Sequence, residues 1–435
     1  LLGLTIIIPL MPLYAASYGA NPFVIGLLGA AYPVMQFVGA PLLGRLSDRY
    51  GRKPVLLVSQ LGTVIGFLVM GFAGSIWVLF LARIIDGLSG ANISTAQAAI
   101  TDTTTEKTRT QGLGLIGAAF GIGFTIGPVL AFATLALTGN NYHAVAFVAA
   151  AFAAIAFGLT WFWFQESLPP EKRGRAERKP ALSFGAMAAA LRRPAIGFLL
   201  VLMFAQQMVF GGFEQLLSLF TLNRLGLDAR GNSVLFVIIG AVVVVIQGGM
   251  IGRWSRTYGD RWQIVMGLAA LAAGMILMAL TPRQPAPWYS RAEVVMQLAG
   301  SGERTLPGET PPTQNLPVDL PDESNKGLLG IGWGLAAMIV ASIGGAVLSP
   351  AINSSITRRV DPGEVGGTLG ISASFVSAAN ALAPVVGGAI FNWLGSTAPF
   401  LIAGLVTAVL WWLATRAIKP QPPATVGAAP AMAAN

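Results

Sequence analysis

Cysteine is absent from these 435 residues, and histidine occurs once, at His143. The first absence excludes a disulfide framework, thiol catalysis and cysteine metal sites; the second makes a histidine-based metal centre untenable. Charge is scarce as well. Asp, Glu, Lys and Arg make up 10% of the chain, against about a quarter in a typical soluble domain. A water-soluble protein of this length could not cover its surface with so few charges. There is no nucleophile elbow, no phosphate-binding loop and no paired catalytic motif, so an enzyme finds no support.

What fills the chain instead is apolar: 54% of residues are hydrophobic and 53 are glycine. Lipid is the solvent that tolerates outward-facing apolar side chains, and glycine lets membrane helices approach closely. A bilayer core of about 30 Å needs roughly 17–25 apolar residues per helix. Twelve stretches qualify: 1–18, 24–43, 55–73, 76–98, 112–137, 144–164, 195–220, 233–252, 262–281, 327–349, 367–391 and 397–415. The sequence therefore predicts an all-α membrane protein of twelve transmembrane helices. The chain opens inside an apolar stretch at Leu1, without methionine, so residues are expected to precede it.

The net charge of +9 could suggest nucleic acid, but the basic residues sit in short loops between apolar runs. Starting the first helix from the cytoplasm puts twenty of the 27 Lys and Arg in cytoplasmic loops and six outside, with Arg83 inside the membrane. The positive-inside rule then places both termini in the cytoplasm of a cell-membrane protein, with no role for nucleic acid.

Two loops are long. Residues 165–194 are charged and proline-bearing, and are expected to link an N-terminal six-helix bundle (1–164) to a C-terminal one (195–419), with a surface helix at Leu182–Leu191. Residues 282–326 form an external loop whose composition predicts a flexible polar segment with a short helix at Ser290–Leu298. Residues 420–435 are expected to be a disordered cytoplasmic tail.

An internal repeat supports the two halves. GRLSDRYGRK (Gly44–Lys53) and GRWSRTYGDR (Gly252–Arg261) share Gly, Arg, Ser, Tyr and Gly at an offset of 208. Likewise Gly114, Gly123, Gly127 and Pro128 align with Gly370, Ala379, Ala383 and Pro384. In the first loop Gly44 and Gly51 permit a tight reversal, and Asp48 sits among Arg45, Arg49, Arg52 and Lys53. Such a cluster can latch one arrangement of a bundle and release in another; on spacing alone it is equally a topology-fixing loop.

These motifs resemble the major facilitator superfamily. Gly44, Leu46, Asp48, Arg49, Gly51, Arg52 and Lys53 match its loop signature between helices 2 and 3. Arg83, Gly87, Gly90 and Ala91 look like its helix-4 signature. Gly114, Gly123, Gly127 and Pro128 resemble the helix-5 signature of antiporters, departing at Ala131 and Phe132, where two glycines would stand. The run Ile6–Tyr14 adds a likeness to twelve-helix drug:proton antiporters, the tetracycline-efflux group, in which an acid often precedes that run. The resemblance implies two pseudo-symmetric six-helix bundles rocking around a midplane site, without cofactor and driven by a proton gradient. Glycines at helix 5 would keep one face flat, and Pro128 would permit bending.

Charges within the membrane are costly, so they usually face a cavity or a partner. Arg83 and Asp86 lie three apart on one helix face, where they either pair or serve, as the resemblance implies for Arg83, a proton relay or an anionic group. Glu214 has no cation on its own helix, which makes it a candidate for carrying a proton or holding a cationic substrate; the bland alternative is a neutral acid bonded to a neighbouring helix. Gln207 shares its face at a spacing of seven, whereas Gln206 and Gln215 need not. Tyr32 and Gln36, one turn apart, are the better pair among further polar candidates, which include Tyr14, Asn92, Gln97, Gln247, Trp333, Asn353 and Asn380. His143 is expected to be solvated in an outer loop.

The reading is thus a monomeric, proton-coupled exporter of small amphipathic compounds. Its rivals are a proton-coupled importer of sugar or another metabolite, and a non-transporting membrane receptor that uses the 282–326 loop.

Overall fold

The computed structural model of the chain describes all residues except 105, 174–183, 195, 300–317, 362–363 and 419–435, and omits the side chains of a few more, among them 106–114. The expected tail at 420–435 and the middle of the 165–194 linker lie outside the described residues.

Among the described residues the regular structure is helical throughout. The first segment is broken: α1 (Leu2–Ile7) and α2 (Met11–Ala16) are separated around Pro9, whose ring removes a donor and obstructs the preceding turn. The break frees the Pro9 carbonyl, which accepts from Ser218 Oγ at 2.8 Å. Next, α3 (Pro22–Tyr50) begins at Asn21, whose side chain accepts from the Val24 N–H and caps the helix. It is followed by α4 (Arg52–Gly71), α5 (Ile76–Gly90), α6 (Ile93–Thr103), α7 (Glu106–Thr138) and α8 (Tyr142–Trp163). A short α9 (Phe184–Leu191) precedes the second half. That half comprises α10 (Gly197–Leu225), α11 (Ala229–Val245), a π-helical turn at Ile246–Met250, α12 (Ile251–Ala279), a short α13 (Arg291–Ala299), α14 (Leu329–Thr357), α15 (Val365–Leu394) and α16 (Ala398–Ala417).

Ten helical stretches among the described residues are long and apolar enough to cross a membrane. One of them, Ala229–Ala279, runs for 51 residues, about 75 Å as continuous helix and more than twice a bilayer core. It leaves helical geometry at Gly259 (φ 75°, ψ 170°). Gly51, between α3 and α4, has nearly the same backbone (φ 106°, ψ 162°), so the sequence repeat is also a repeat of conformation. Counting the divided stretch as two, and α1–α2 as a broken first segment, gives twelve. Large apolar side chains point outward along the bundle, Leu137, Phe162 and Trp163 among them. Water would penalise that surface and lipid matches it.

The halves meet where α3 packs on α15 and α7 on α11. The α3–α15 contact is backbone to backbone: a Cβ on Gly26 would strike the Pro384 carbonyl, and one on Gly388 the Pro22 carbonyl. This end of the bundle lies opposite the arginine-rich loops. Hydrogen bonds between the halves occur there too, from Arg230 Nε to Asn140 Oδ1 (2.5 Å) and from Asn140 Nδ2 to Asp228 Oδ2 (3.4 Å). Toward the arginine-rich end, Gly248, Gly249, Gly367 and Gly370 have open space where a side chain would begin. Gly26→Leu is therefore expected to weaken the contact between halves by about 1–3 kcal/mol, seen as a lowered unfolding temperature in detergent, while Gly248→Leu leaves it unchanged.

Candidate functional site

In the first half, Arg83 and Asp86 come from α5, one turn apart, and are 4% and 2% exposed. Their closest charged atoms stand 3.6 Å apart, an ion pair but too long for a hydrogen bond. Arg83 Nε and Nη1 and Asp86 Oδ2 have no hydrogen-bond partner among the described residues. Each such group forgoes about 1–3 kcal/mol or more. The Arg83 guanidinium is instead held by the Tyr32 ring, 4.7 Å away, a cation–π contact favoured by desolvation. Gln36 fixes Tyr32 in turn, with its Nε2 3.4 Å from the Tyr32 hydroxyl and 3.2 Å from the Gly90 carbonyl. That carbonyl is free because the chain leaves helix between α5 and α6. Gly87 and Gly90 admit Tyr32, since a side chain on either would collide with it. Tyr32, Gln36, Arg83 and Asp86 thus form one cluster.

A cavity of about 710 Å³ adjoins this cluster, lined by α1 and α3–α8. Its walls are mainly apolar, with Asp86, Tyr32, Asn92, Gln60 and Thr63 as polar points. Asn92, at the α5–α6 break, therefore stands on the cavity wall and not in the Arg83 cluster.

In the second half, Gln207 Nε2 donates to Asn380 Oδ1 at 2.8 Å, joining α10 to α15. Gly211, one turn on, makes room for both side chains, and Glu214 follows on the same face of α10. Asn353 stands elsewhere: its Oδ1 accepts from Ser372 Oγ at 3.2 Å, tying α14 to α15. Gln206 is buried with its Oε1 unpartnered among the described residues. Gln97 is exposed, and two further polar candidates hold helices together. Gln247 Nε2 donates to the Ala346 carbonyl (3.2 Å), and Trp333 Nε1 to the Leu277 carbonyl (2.8 Å). Tyr14 is packed against Tyr18 and Tyr142, not exposed to a cavity. The expectation for His143 is corrected: it lies at the start of α8, with Nδ1 2.9 Å from Tyr14 Oη and 3.0 Å from the Gly71 carbonyl. The last carbonyls of α4 need partners, and His143 supplies one.

The Gly44–Lys53 segment carries a charge network centred on one buried arginine. Arg52, 3% exposed, pairs with Asp48 (2.6 Å) and with Asp102 at the end of α6 (2.9 Å), and donates to Ser47 Oγ (2.8 Å). Gly51 precedes α4 without a side chain to cap it. Glu166, 114 residues away in sequence, provides the cap, accepting from the Arg52 N–H at 2.8 Å and the Lys53 N–H at 3.2 Å. Lys53 takes part through this backbone bond, while Arg49 lies over Tyr50 at 5.4 Å. Gly44 has open space around it.

The second half inverts the charges. Asp260, which aligns with Arg52, is buried and accepts from Ser255 Oγ (3.2 Å) and Ser354 Oγ (2.8 Å), with Arg358 Nε at 3.4 Å. Ser255 aligns with Ser47. Asp102, Glu166, Asp260 and Arg358 were not singled out from sequence. The offset of 208 that pairs Arg52 with Asp260 was the available signal.

Burial pushes the Glu166 carboxyl up. The N–H groups of Leu168, Arg52 and Lys53 and the charge of Arg173 outweigh it, so the net direction is below its ordinary value of 4.5. A depressed acid stabilises the fold above that ordinary value, and the contribution fades as pH falls through the folded value. Glu166→Gln is expected to cost about 1–2 kcal/mol at pH 7 and nothing once the native acid is protonated. Unfolding temperatures of both proteins compared at pH 7 and along a series descending from pH 4.5 check this: the difference should close as the acid series proceeds.

In the helix-5 motif, Gly127 is buried and opposes Thr5 of α1 so closely that a Cβ would strike its hydroxyl, and Gly123 also faces Thr5. Pro128 lies inside α7. Gly114 lies in α7, but its surroundings are outside the described residues. These glycines thus set α7 against α1. No group of three His, Cys, Asp or Glu suited to a metal is found among the described residues.

Comparison with known proteins agrees with this architecture. The family model of the Major Facilitator Superfamily matches residues 1–331 and 327–434. The tetracycline resistance protein, class B, of Escherichia coli is 24% identical over 395 residues, covering 90% of this chain and 85% of its own. The class E protein of Escherichia coli is 32% identical over 315 residues, covering 70% and 74%. Among solved structures, a mutant of the nucleoside transporter NupG superposes with a TM-score of 0.70 at 14% identity, covering 96% of this chain and 97% of that one. Its identity is low enough that it speaks for the fold alone. From the family match and the relatives together, the chain belongs to the Major Facilitator Superfamily, whose members are membrane transporters and not enzymes.

Proposed function

We propose that this chain exports small amphipathic compounds in exchange for protons, by alternating access between its two halves. The observation that carries the reading is the buried Arg83–Asp86 pair, close enough to attract yet without a hydrogen bond between them, with Asp86 on the wall of a cavity. A proton arriving on Asp86 would remove its attraction for Arg83 and leave the guanidinium, still against Tyr32, free to meet a ligand, and the proton's departure would restore the pair. Glu214, partly buried on α10, gives the second half its own acid within a membrane-spanning helix. Apolar cavity walls suit an amphipathic compound better than a sugar, and relatives that carry tetracycline resistance in their names agree with export. By the positive-inside rule the arginine-rich end faces the cytoplasm. The close contact at the other end then makes this an inward-open arrangement. One chain supplies both halves, so no second copy is required.

The test is uptake of tetracycline, or of a fluorescent amphipathic cation, by proteoliposomes with an imposed pH gradient. An acid lumen should drive accumulation, and a protonophore should abolish it. Accumulation driven by an acid exterior would identify an importer, and indifference to the gradient would exclude proton coupling.

A further inference from the structure

We propose that residues 282–299 and 318–327 form a strap, anchored in the second half, that clasps the first half and holds the bundle closed at the end opposite the arginine-rich loops. From sequence this segment is a flexible polar loop. Its described parts are packed instead, with Ala286, Tyr289, Val294, Leu298, Val318 and Leu320 all buried.

The anchor is built on the end of α10. Arg224 donates to the Thr281 carbonyl through Nη2 (2.7 Å) and Nε (3.2 Å). The Ala286 N–H donates to the Leu225 carbonyl (2.9 Å), and Asn223 Nδ2 to the Asp319 carbonyl (2.7 Å). Tyr289 lies on Gly226, the left-handed residue that ends α10 (φ 66°); any side chain there would strike the ring. The two arms of the strap are also joined to each other. Tyr289 Oη donates to the Pro321 carbonyl (3.2 Å), and Arg283 pairs with Asp319 (2.6 Å). Polar contacts on this scale hold the segment to the second half as one piece.

Its far end reaches across. Helix α13 lies against α2, which belongs to the first half. Val294 and Leu298, one turn apart, are 6% and 5% exposed, whereas Arg291, Glu293 and Met296 face outward. The apolar face of α13 is therefore buried, and α2 is the first-half element in contact with this helix. If α2 moves with the first half when the bundle opens at this end, the contact must break. The inference rests on the alternating-access reading above, and it assigns the strap the role of biasing that equilibrium toward closure at its own end.

This chain has no cysteine to remove, so spin labels can be placed directly on it at Gly74→Cys and Asn392→Cys, exposed positions near that end in the first and second halves. In liposomes, Val294→Asp with Leu298→Asp should move about tenfold or more of the equilibrium from the short-distance to the long-distance population. Met296→Asp should leave it in place. Should the double aspartate variant fail to fold, Val294→Ala with Leu298→Ala should shift the populations in the same direction by less. Two populations that ignore the inward-facing substitutions would overturn the strap alone. A single population in every variant and at every pH would overturn the strap and alternating access together.

Discussion

Glu214→Gln is expected to abolish proton-driven accumulation while leaving the exchange of substrate for substrate intact. Glutamine keeps the volume and the hydrogen-bonding capacity of the protonated acid but cannot become charged. A charge near the bilayer centre costs at least about 2.5–3.5 kcal/mol, which corresponds to roughly a hundredfold in an equilibrium between conformations. Losing the ability to change charge should therefore slow net transport about a hundredfold. Exchange, which needs no deprotonation, should stay within a few-fold of the native rate by the same reasoning. Comparing efflux driven by a pH gradient with counterflow at equal pH separates these outcomes. Equal loss of both would assign Glu214 to substrate binding or packing, and no loss of either would remove it from the coupling path. Asp86→Asn in the same assays reports the first-half acid.

The second large effect is expected at Arg52. Its guanidinium is buried among Asp48, Asp102 and the Ser47 hydroxyl, and it joins the α3–α4 turn to the end of α6. Removing one member of a buried pair costs about 3–5 kcal/mol; both acids here retain some solvent contact, so Arg52→Ala should cost about 3 kcal/mol. Arg52→Lys keeps the charge but loses the fork that reaches two acids at once, and should fall between. Thermal unfolding in detergent gives the order native, Lys, Ala. Asp260→Ala probes the inverted counterpart in the second half. If the two networks act as paired latches, it should lower stability in the same way.

The spans were readable because lipid enforces long apolar runs and relegates charge to their ends. The turn at Gly51 and its partner at Gly259 were visible as a repeat, and Tyr32 with Gln36 as an adjacent pair on one helix. What sequence spacing could not show were contacts closed by folding. Asp102 reaches Arg52 across 50 residues and Glu166 reaches it across 114, and nothing local in either segment marks them. His143 looked solvated because it follows Gly139, Asn140 and Asn141 in a turn, yet the end of α4 supplies a carbonyl for it. In the 282–326 segment composition misled for the described parts, 282–299 and 318–326. Their buried residues are scattered among polar ones, and only the contacts with the α10 terminus show that they face inward.

The central claim is that a path through the bundle opens to one side at a time, with the arginine-rich end now open. A single cysteine at Gly248, which has free space around it, tests this most directly through its reaction with a membrane-impermeant maleimide in oriented vesicles. It should react from the arginine-rich side at rest, and react at least tenfold more slowly when substrate and a pH gradient together drive the outward-open state. Reaction from the opposite side, or a rate that substrate and gradient leave unchanged, would contradict the account.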